Sequence, residues 1–167
     1  MGNRESKKVS SPVDFPASQL QATCVAINSY CVLLIGESGS GKSDLALRLI
    51  NRGASLVSDD RVNLMKNRNT IIASSPENIA GLLEVRGIGI FKMKTQNNIS
   101  LSLVIKLDGK DSIERLPDPE FYECMGIKIP QIHICPFEAS APVKIEMAVA
   151  ALSDGSLTVG ALKSDTP

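Results

Sequence analysis

Apolar residues fill positions 30–35 almost without a break, and Gly36, Glu37 and Ser38 end the run abruptly. A continuous apolar run of this length before a glycine predicts a strand buried on both faces. A preceding strand is expected at 20–27, separated from it by the turn signal Asn28-Ser29. The period then changes. Leu45, Ala46, Leu47, Leu49 and Ile50 supply the apolar face of a helix from Lys42 to near Arg52. Asp44 stands in its first turn, and Arg48 and Arg52 stand toward its end, as the helix dipole favours. Gly53 follows as the expected C-terminal glycine.

Further along, residues 56–58 predict a short strand ending in Asp59-Asp60. Residues 61–66 and 70–74 predict a hairpin around Asn67-Arg68-Asn69. Residues 99–107 alternate and predict a long strand, with Asp108-Gly109 as its turn. Residues 111–122 are punctuated by proline and read as a loop. Residues 127–134 predict a strand interrupted by Pro130, hence an edge. Residues 141–152 predict a second helix, with Val143, Met147 and Ala150 on one stripe and Ile145 and Val149 beside it. Two helices and about nine short strands make an α/β design rich in antiparallel ribbon. No internal repeat or linker divides the chain. The expected organisation is a flexible N-terminus over 1–15, one domain over 16–152 and a flexible tail over 153–167.

Composition narrows the function classes. Hydrophobic residues make up 43% and charged residues 22% of 167 positions, ordinary for one soluble domain. Lysine plus arginine equals aspartate plus glutamate, 18 against 18, so net charge offers no argument for nucleic acid or an anionic membrane. Aromatic residues are 4% and tryptophan is absent, which disfavours base-stacking arrays. No apolar run approaches the roughly 20 residues that span a bilayer. Residues 1–12 lack the apolar stretch of a secretory signal, and the cytoplasm is the expected location. The four cysteines form no Cys-x-x-Cys pair and the chain has one histidine, which disfavours structural zinc. Cys24 and Cys31 are expected as buried reduced thiols. His133 is expected as a strand residue on a polar or half-buried face rather than as a catalytic group.

The chemistry concentrates at Gly36-Glu37-Ser38-Gly39-Ser40-Gly41-Lys42-Ser43, which fits G-x-x-x-x-G-K-[ST] at every fixed position. The flanks are those the motif requires: buried strand, loop, helix. Glycines let successive N–H groups point inward as an anion nest, and the helix N-terminus adds a fixed positive partial charge. Lys42 is expected to reach the β and γ phosphates of a nucleoside triphosphate such as ATP, and Ser43 to place its hydroxyl on Mg²⁺.

Asp59 and Asp60 follow the next strand. If that strand lies beside the phosphate-loop strand, its end brings both carboxylates to the phosphates. One is then available to a metal and the other to a proton. A solvated turn is the plainer alternative. Glu84 and Arg86, two apart and followed by Gly87 and Gly89, suit a loop that approaches an anion or a metal, although a surface ion pair is the commoner meaning of that spacing. Arg115 sits in the proline-rich stretch, where a lone arginine is most often solvated.

Together these residues resemble the HPr kinase/phosphorylase family in its short form, without a separate N-terminal domain. Four blocks carry the likeness: Gly36 to Ser43 with Asp44-Leu45-Ala46-Leu47; Arg52-Gly53 continuing to Val57-Ser58-Asp59-Asp60; Gly81-Leu82-Leu83-Glu84-Val85-Arg86-Gly87-Ile88-Gly89-Ile90; and Glu114-Arg115-Leu116 followed by Gly126 and Pro130. The third block, in order after Asp-Asp, is the most specific. The resemblance implies a P-loop core of the phosphoenolpyruvate carboxykinase/HPr kinase type, with a mixed sheet and few helices. It implies a serine kinase using ATP and Mg²⁺ on HPr, the phosphocarrier of the sugar phosphotransferase system, or on a paralogue. It also implies phosphorolysis of the phosphoserine by inorganic phosphate, giving pyrophosphate. By the same likeness Asp59 is the acid/base, Asp60, Ser43 and Glu84 surround the metal, Arg115 serves the phosphorylase reaction and the catalytic core assembles as a hexamer.

Two positions depart from the family pattern. Gln21 stands where a histidine is usual, fifteen residues before Gly36, and glutamine cannot titrate near neutral pH. Pro136-Phe137-Glu138-Ala139-Ser140 replaces the usual proline-glycine-arginine stretch. A P-loop kinase of a small metabolite and a non-catalytic ATP sensor are the competing readings. The first usually needs several lid arginines; intact Lys42, Ser43, Asp59 and Glu84 argue against the second.

Overall fold

The computed structural model describes residues 17–155. The N-terminal segment 1–15, and all but the first residues of the tail expected at 153–167, lie outside the described residues. Eleven strands and two α-helices are present among them: β1 Ala17–Gln21, β2 Thr23–Ile27, β3 Tyr30–Ile35, α1 Lys42–Asn51, β4 Ser55–Ser58, β5 Arg61–Asn67, β6 Thr70–Ser74, β7 Leu82–Val85, β8 Gly89–Lys92, β9 Ile99–Leu107, β10 Glu120–Cys124, β11 Ile127–Ile134 and α2 Ala141–Asp154. This is the expected α/β design with a mixed sheet and few helices.

β9 joins the structure. It runs parallel to β3 along most of its length and parallel to β11 through its last residues, and it meets β6 antiparallel through Ile99 and Ser100. From there the sheet continues in one direction through β6, β5 and β1, and in the other through β3, β2 and β4. Two cores result. Val32 and Leu34 of β3 face the helices with Leu45, Leu49, Ile105, Ile145 and Val149. Cys31 and Leu33 face the β5–β6 ribbon with Val62, Leu64, Ile71 and Val104. Burial on both faces is what the unbroken apolar run of β3 encodes. A bulge in the β3–β9 pairing, between Cys31 and Val32, puts Leu101 and Leu103 into different cores.

Several expectations need correction. The strand expected at 20–27 is two strands, broken at Ala22: β1 pairs with β5, whereas β2 lies between β3 and β4. β4 is therefore not the neighbour of β3. Both run antiparallel to β2, so they still point the same way. The stretch 111–122 is not loop throughout, because β10 begins at Glu120 and pairs with β11. β11 is no simple edge: Pro130 opposes Phe121 of β10, and the parallel pairing with β9 starts one residue later, at Gln131. α2 buries Ile145, Ala148 and Val149, while Met147 of the expected stripe is 67% exposed and Val143 40%.

Candidate active site

The strand-to-helix link at 36–41 forms the phosphate loop. Gly41 adopts φ 97°, a left-handed conformation that a side chain would strain, and no side chain caps α1. The first amides of the helix are thus left for an anion. Lys42 is buried. Its ammonium donates to the carbonyls of Gly36 at 2.8 Å and Glu37 at 2.7 Å, and stands 3.5 Å from Ser40 Oγ. The two short bonds hold the loop's shape, and the long contact to Ser40 Oγ is the one a phosphate oxygen would replace.

Asp59 directly follows β4 and is 8% exposed. Its Oδ1 accepts the Ser43 hydroxyl at 2.7 Å and the Thr23 hydroxyl at 2.9 Å. The carboxylate therefore lies against the start of α1, tied to the serine of the phosphate motif across the intervening strand β2. Asp60 turns the other way at φ 66°. Its carbonyl accepts the Ala22 amide, while the Arg61 amide returns to Asp59 O at 2.8 Å.

Asp60 borders an open cleft of about 450 Å³ together with Gln21, Thr23, Ser38, Lys42, Ser43 and Glu84; Gly39, Gly41, Arg86 and Phe137 line it too. Glu84 belongs to β7, which forms a two-stranded ribbon with β8 and packs against α1, with Leu83 buried beneath. No ion pair joins Glu84 to Arg86 among the described residues. Arg115 lines a different cavity, of about 310 Å³, with Glu114, Asp118, His133 and Lys144. The structure brings Lys42, Ser43, Asp60 and Glu84 to one cleft, ties Asp59 to Ser43 from behind without its lining the cleft, and does not bring Arg115 to them.

Hard oxygen donors gather beside the phosphate loop: the Ser43 hydroxyl and the carboxylates of Asp59, Asp60 and Glu84. No group of three or more His, Cys, Asp or Glu forms a preorganised metal cage among the described residues. That donor set fits Mg²⁺, which is usually held by one or two carboxylates together with substrate phosphates.

His133 sits between Asp108, which receives Nδ1–H, and Glu120, which receives Nε2–H at 2.7 Å. Partial burial pulls its pKa down, but the two carboxylates outweigh it and hold the imidazolium above its ordinary 6.5. The half-buried position agrees with the expectation from its alternating neighbours. All four cysteines are buried free thiols, as expected for Cys24 and Cys31. Burial first, and the neighbouring Cys31 second, keep the Cys24 thiol protonated.

Three contributors are missed by motif reasoning. Thr23 announces itself only as a hydroxyl among the apolar residues of β2. Arg48 reads as a helix-end charge, yet it donates to the carbonyls of Pro136 and Glu138. Phe137 stands against Gly41, where nothing in the local sequence indicates a meeting.

A family model described as HPr Serine kinase C-terminal domain matches residues 15–163. An HPr kinase/phosphorylase from Thermoanaerobacter sp. (strain X514) is 34% identical over 157 residues, covering 87% of this chain and 51% of that protein. One from Caldicellulosiruptor bescii is 35% identical over 158 residues, covering 87% and 50%. The chain spans about half the length of these curated relatives. Among solved structures, the Hpr(Ser) kinase/phosphatase from Coxiella burnetii superposes with a TM-score of 0.71 at 31% identity, covering 80% of this chain and 88% of that one.

Proposed function

The chain belongs to the HPr serine kinase C-terminal domain family, and from that premise we propose that it transfers the γ-phosphoryl group of ATP to a serine of HPr or a paralogue. The observation that carries this reading is Asp59, held against Ser43 of the phosphate loop at 2.7 Å. In this reading a carboxylate so placed serves as the base for an acceptor hydroxyl that attacks a phosphate cradled by the loop.

The loop amides and Lys42 bind and orient the polyphosphate. Thr23 and Ser43 occupy Oδ1 of Asp59 and fix its rotamer, leaving Oδ2 to take the serine proton. As that proton leaves, the serine oxygen forms its bond to the γ-phosphorus and the bond to the ADP oxygen breaks. In the reverse-type reaction inorganic phosphate attacks the phosphoserine phosphorus. The serine oxygen departs with a proton from Asp59, and pyrophosphate is released. Ser43, Asp60 and Glu84 would hold Mg²⁺, which would neutralise phosphate charge when bound. Arg115 belongs to the phosphorylase reaction in this reading by the family likeness alone, since it lines the separate cavity. The hexamer implied by the family likeness and the cytoplasmic location expected from the sequence belong to the same proposal. No helix among the described residues is long and apolar enough to cross a membrane.

The test is incubation with γ-labelled ATP, Mg²⁺ and purified HPr, followed by mapping of the modified residue. Label on an HPr serine is the expected result. ATP binding with no label on HPr would contradict the proposal and favour a nucleotide sensor.

A further inference from the structure

Phe137 is 74% exposed, yet it borders the phosphate-loop cleft. It lies on the turn between β11 and α2, where the family pattern is lost. Its ring stands beside Gly41 so closely that a β-carbon there would lie 3.2 Å from Cε1 and 3.4 Å from Cζ. The turn that carries it is fastened at several points. Arg48 of α1 donates to the carbonyls of Pro136 and Glu138, the latter at 3.4 Å. Lys144 pairs with Glu138 at 2.6 Å, and the Ala141 amide returns to Glu138 O at 3.1 Å. A large apolar ring is thus held in water by a fixed frame, next to the last glycine of the loop. Leu47 and Val85 border the same cleft. At about 450 Å³ the cleft has the size of a small-molecule site rather than of a phosphate notch.

We propose that Phe137 is the platform against which the nucleoside of the bound nucleotide packs, so that this ring separates a nucleotide from a bare polyphosphate. The inference rests on the nucleotide-binding reading above and adds the donor preference to it. Phosphate and pyrophosphate present nothing apolar to a ring, whereas a nucleoside presents a flat base and a sugar edge. A base–aromatic contact needs no particular pattern of hydrogen bonds, so purine nucleotides bind with little discrimination between adenine and guanine.

Calorimetric titration of the full chain, Phe137→Ala and Phe137→Trp with ADP, GDP and tripolyphosphate, each with Mg²⁺, tests this. Phe137→Ala is expected to weaken ADP and GDP by about tenfold, the effect of losing one base–aromatic contact. Tripolyphosphate should bind all three proteins alike, and Phe137→Trp should restore the nucleotides. Equal losses for ADP and tripolyphosphate would overturn the proposal, because the ring would then only prop the loop. Unchanged affinity for both, with a raised KM for the protein acceptor, would overturn it in favour of an acceptor contact. Wild-type protein that binds tripolyphosphate as tightly as ADP would sink this inference alone. Binding of neither would also end the nucleotide reading.

Discussion

Thr23 shows how much of the candidate site depends on a single hydroxyl. It is fully buried and shares Oδ1 of Asp59 with Ser43. Thr23→Val keeps the shape and removes the donor, so Asp59 keeps one anchor. The expected result is a fall in phosphotransfer of about tenfold, near the cost of one charge-assisted hydrogen bond. Nucleotide affinity should stay within about twofold of wild type. Steady-state rates beside ADP titrations check this; equal losses in both would assign Thr23 to folding. Gln21, in the same cleft, gives a second prediction. With no imidazole there to titrate, kinase activity should be present and phosphorolysis weak, and Gln21→His should add pH dependence to phosphorolysis between about pH 6 and 8. Both rates measured against pH decide it, and identical, strongly pH-dependent phosphorolysis in the two proteins would contradict it. At this scale the phosphate loop, the Asp-Asp pair and Glu84 were legible, because each belongs to a motif with a fixed chemical meaning. Thr23 and Phe137 were not, because their contacts with Asp59 and Gly41 join residues distant in sequence.

α2 shows what periodicity omits at the level of the element. Val143, Met147 and Ala150 share a helical stripe as well as Ile145, Ala148 and Val149 do, and nothing in the pattern ranks the two faces. Contact with Leu45 and Ile105 chooses the second. Ile145→Ala should therefore destabilise the fold by about 2–5 kcal/mol, and Met147→Ala by no more than about 0.5 kcal/mol. Urea titrations of both variants check the ranking, which the reversed order would contradict. β10 was hidden because Pro117 and Pro119 precede it, although Phe121 and Tyr122 are good strand residues. Its pairing with β11 is reinforced by His133, which links Glu120 to Asp108 at the end of β9. The raised pKa of His133 means this clamp is complete below the ordinary value of 6.5 and weakens as pH rises through the raised one. The Glu120 carboxyl is held below its ordinary 4.5, chiefly by its bond to His133, so its contribution is lost as pH falls under that value. Wild-type stability should therefore decline from about pH 6.5 upward, and His133→Gln should remove the slope. Denaturant midpoints across that range measure it; parallel curves for the two proteins would contradict the clamp.

Across the whole molecule, the buried strand, the loop and the first helix were readable because they are contiguous. Their relation to β4 was not. The condition that β4 lie beside β3 is not met: β2 intervenes, and the order follows from a chain that breaks at Ala22 to serve two ribbons. β4 nevertheless brings Asp59 to Ser43 of the phosphate loop. β3 and β4 both run antiparallel to β2, so their ends open on the same side of the sheet. The proposed phosphotransfer therefore turns on Asp59, held to Ser43 of the phosphate loop, as its proton acceptor. The most direct test is Asp59→Asn, with label transfer to HPr and ADP binding measured on the same preparation. The account predicts binding within a few-fold of wild type and transfer reduced by about 10²–10⁴-fold. Transfer at close to the wild-type rate, with binding intact, would contradict it.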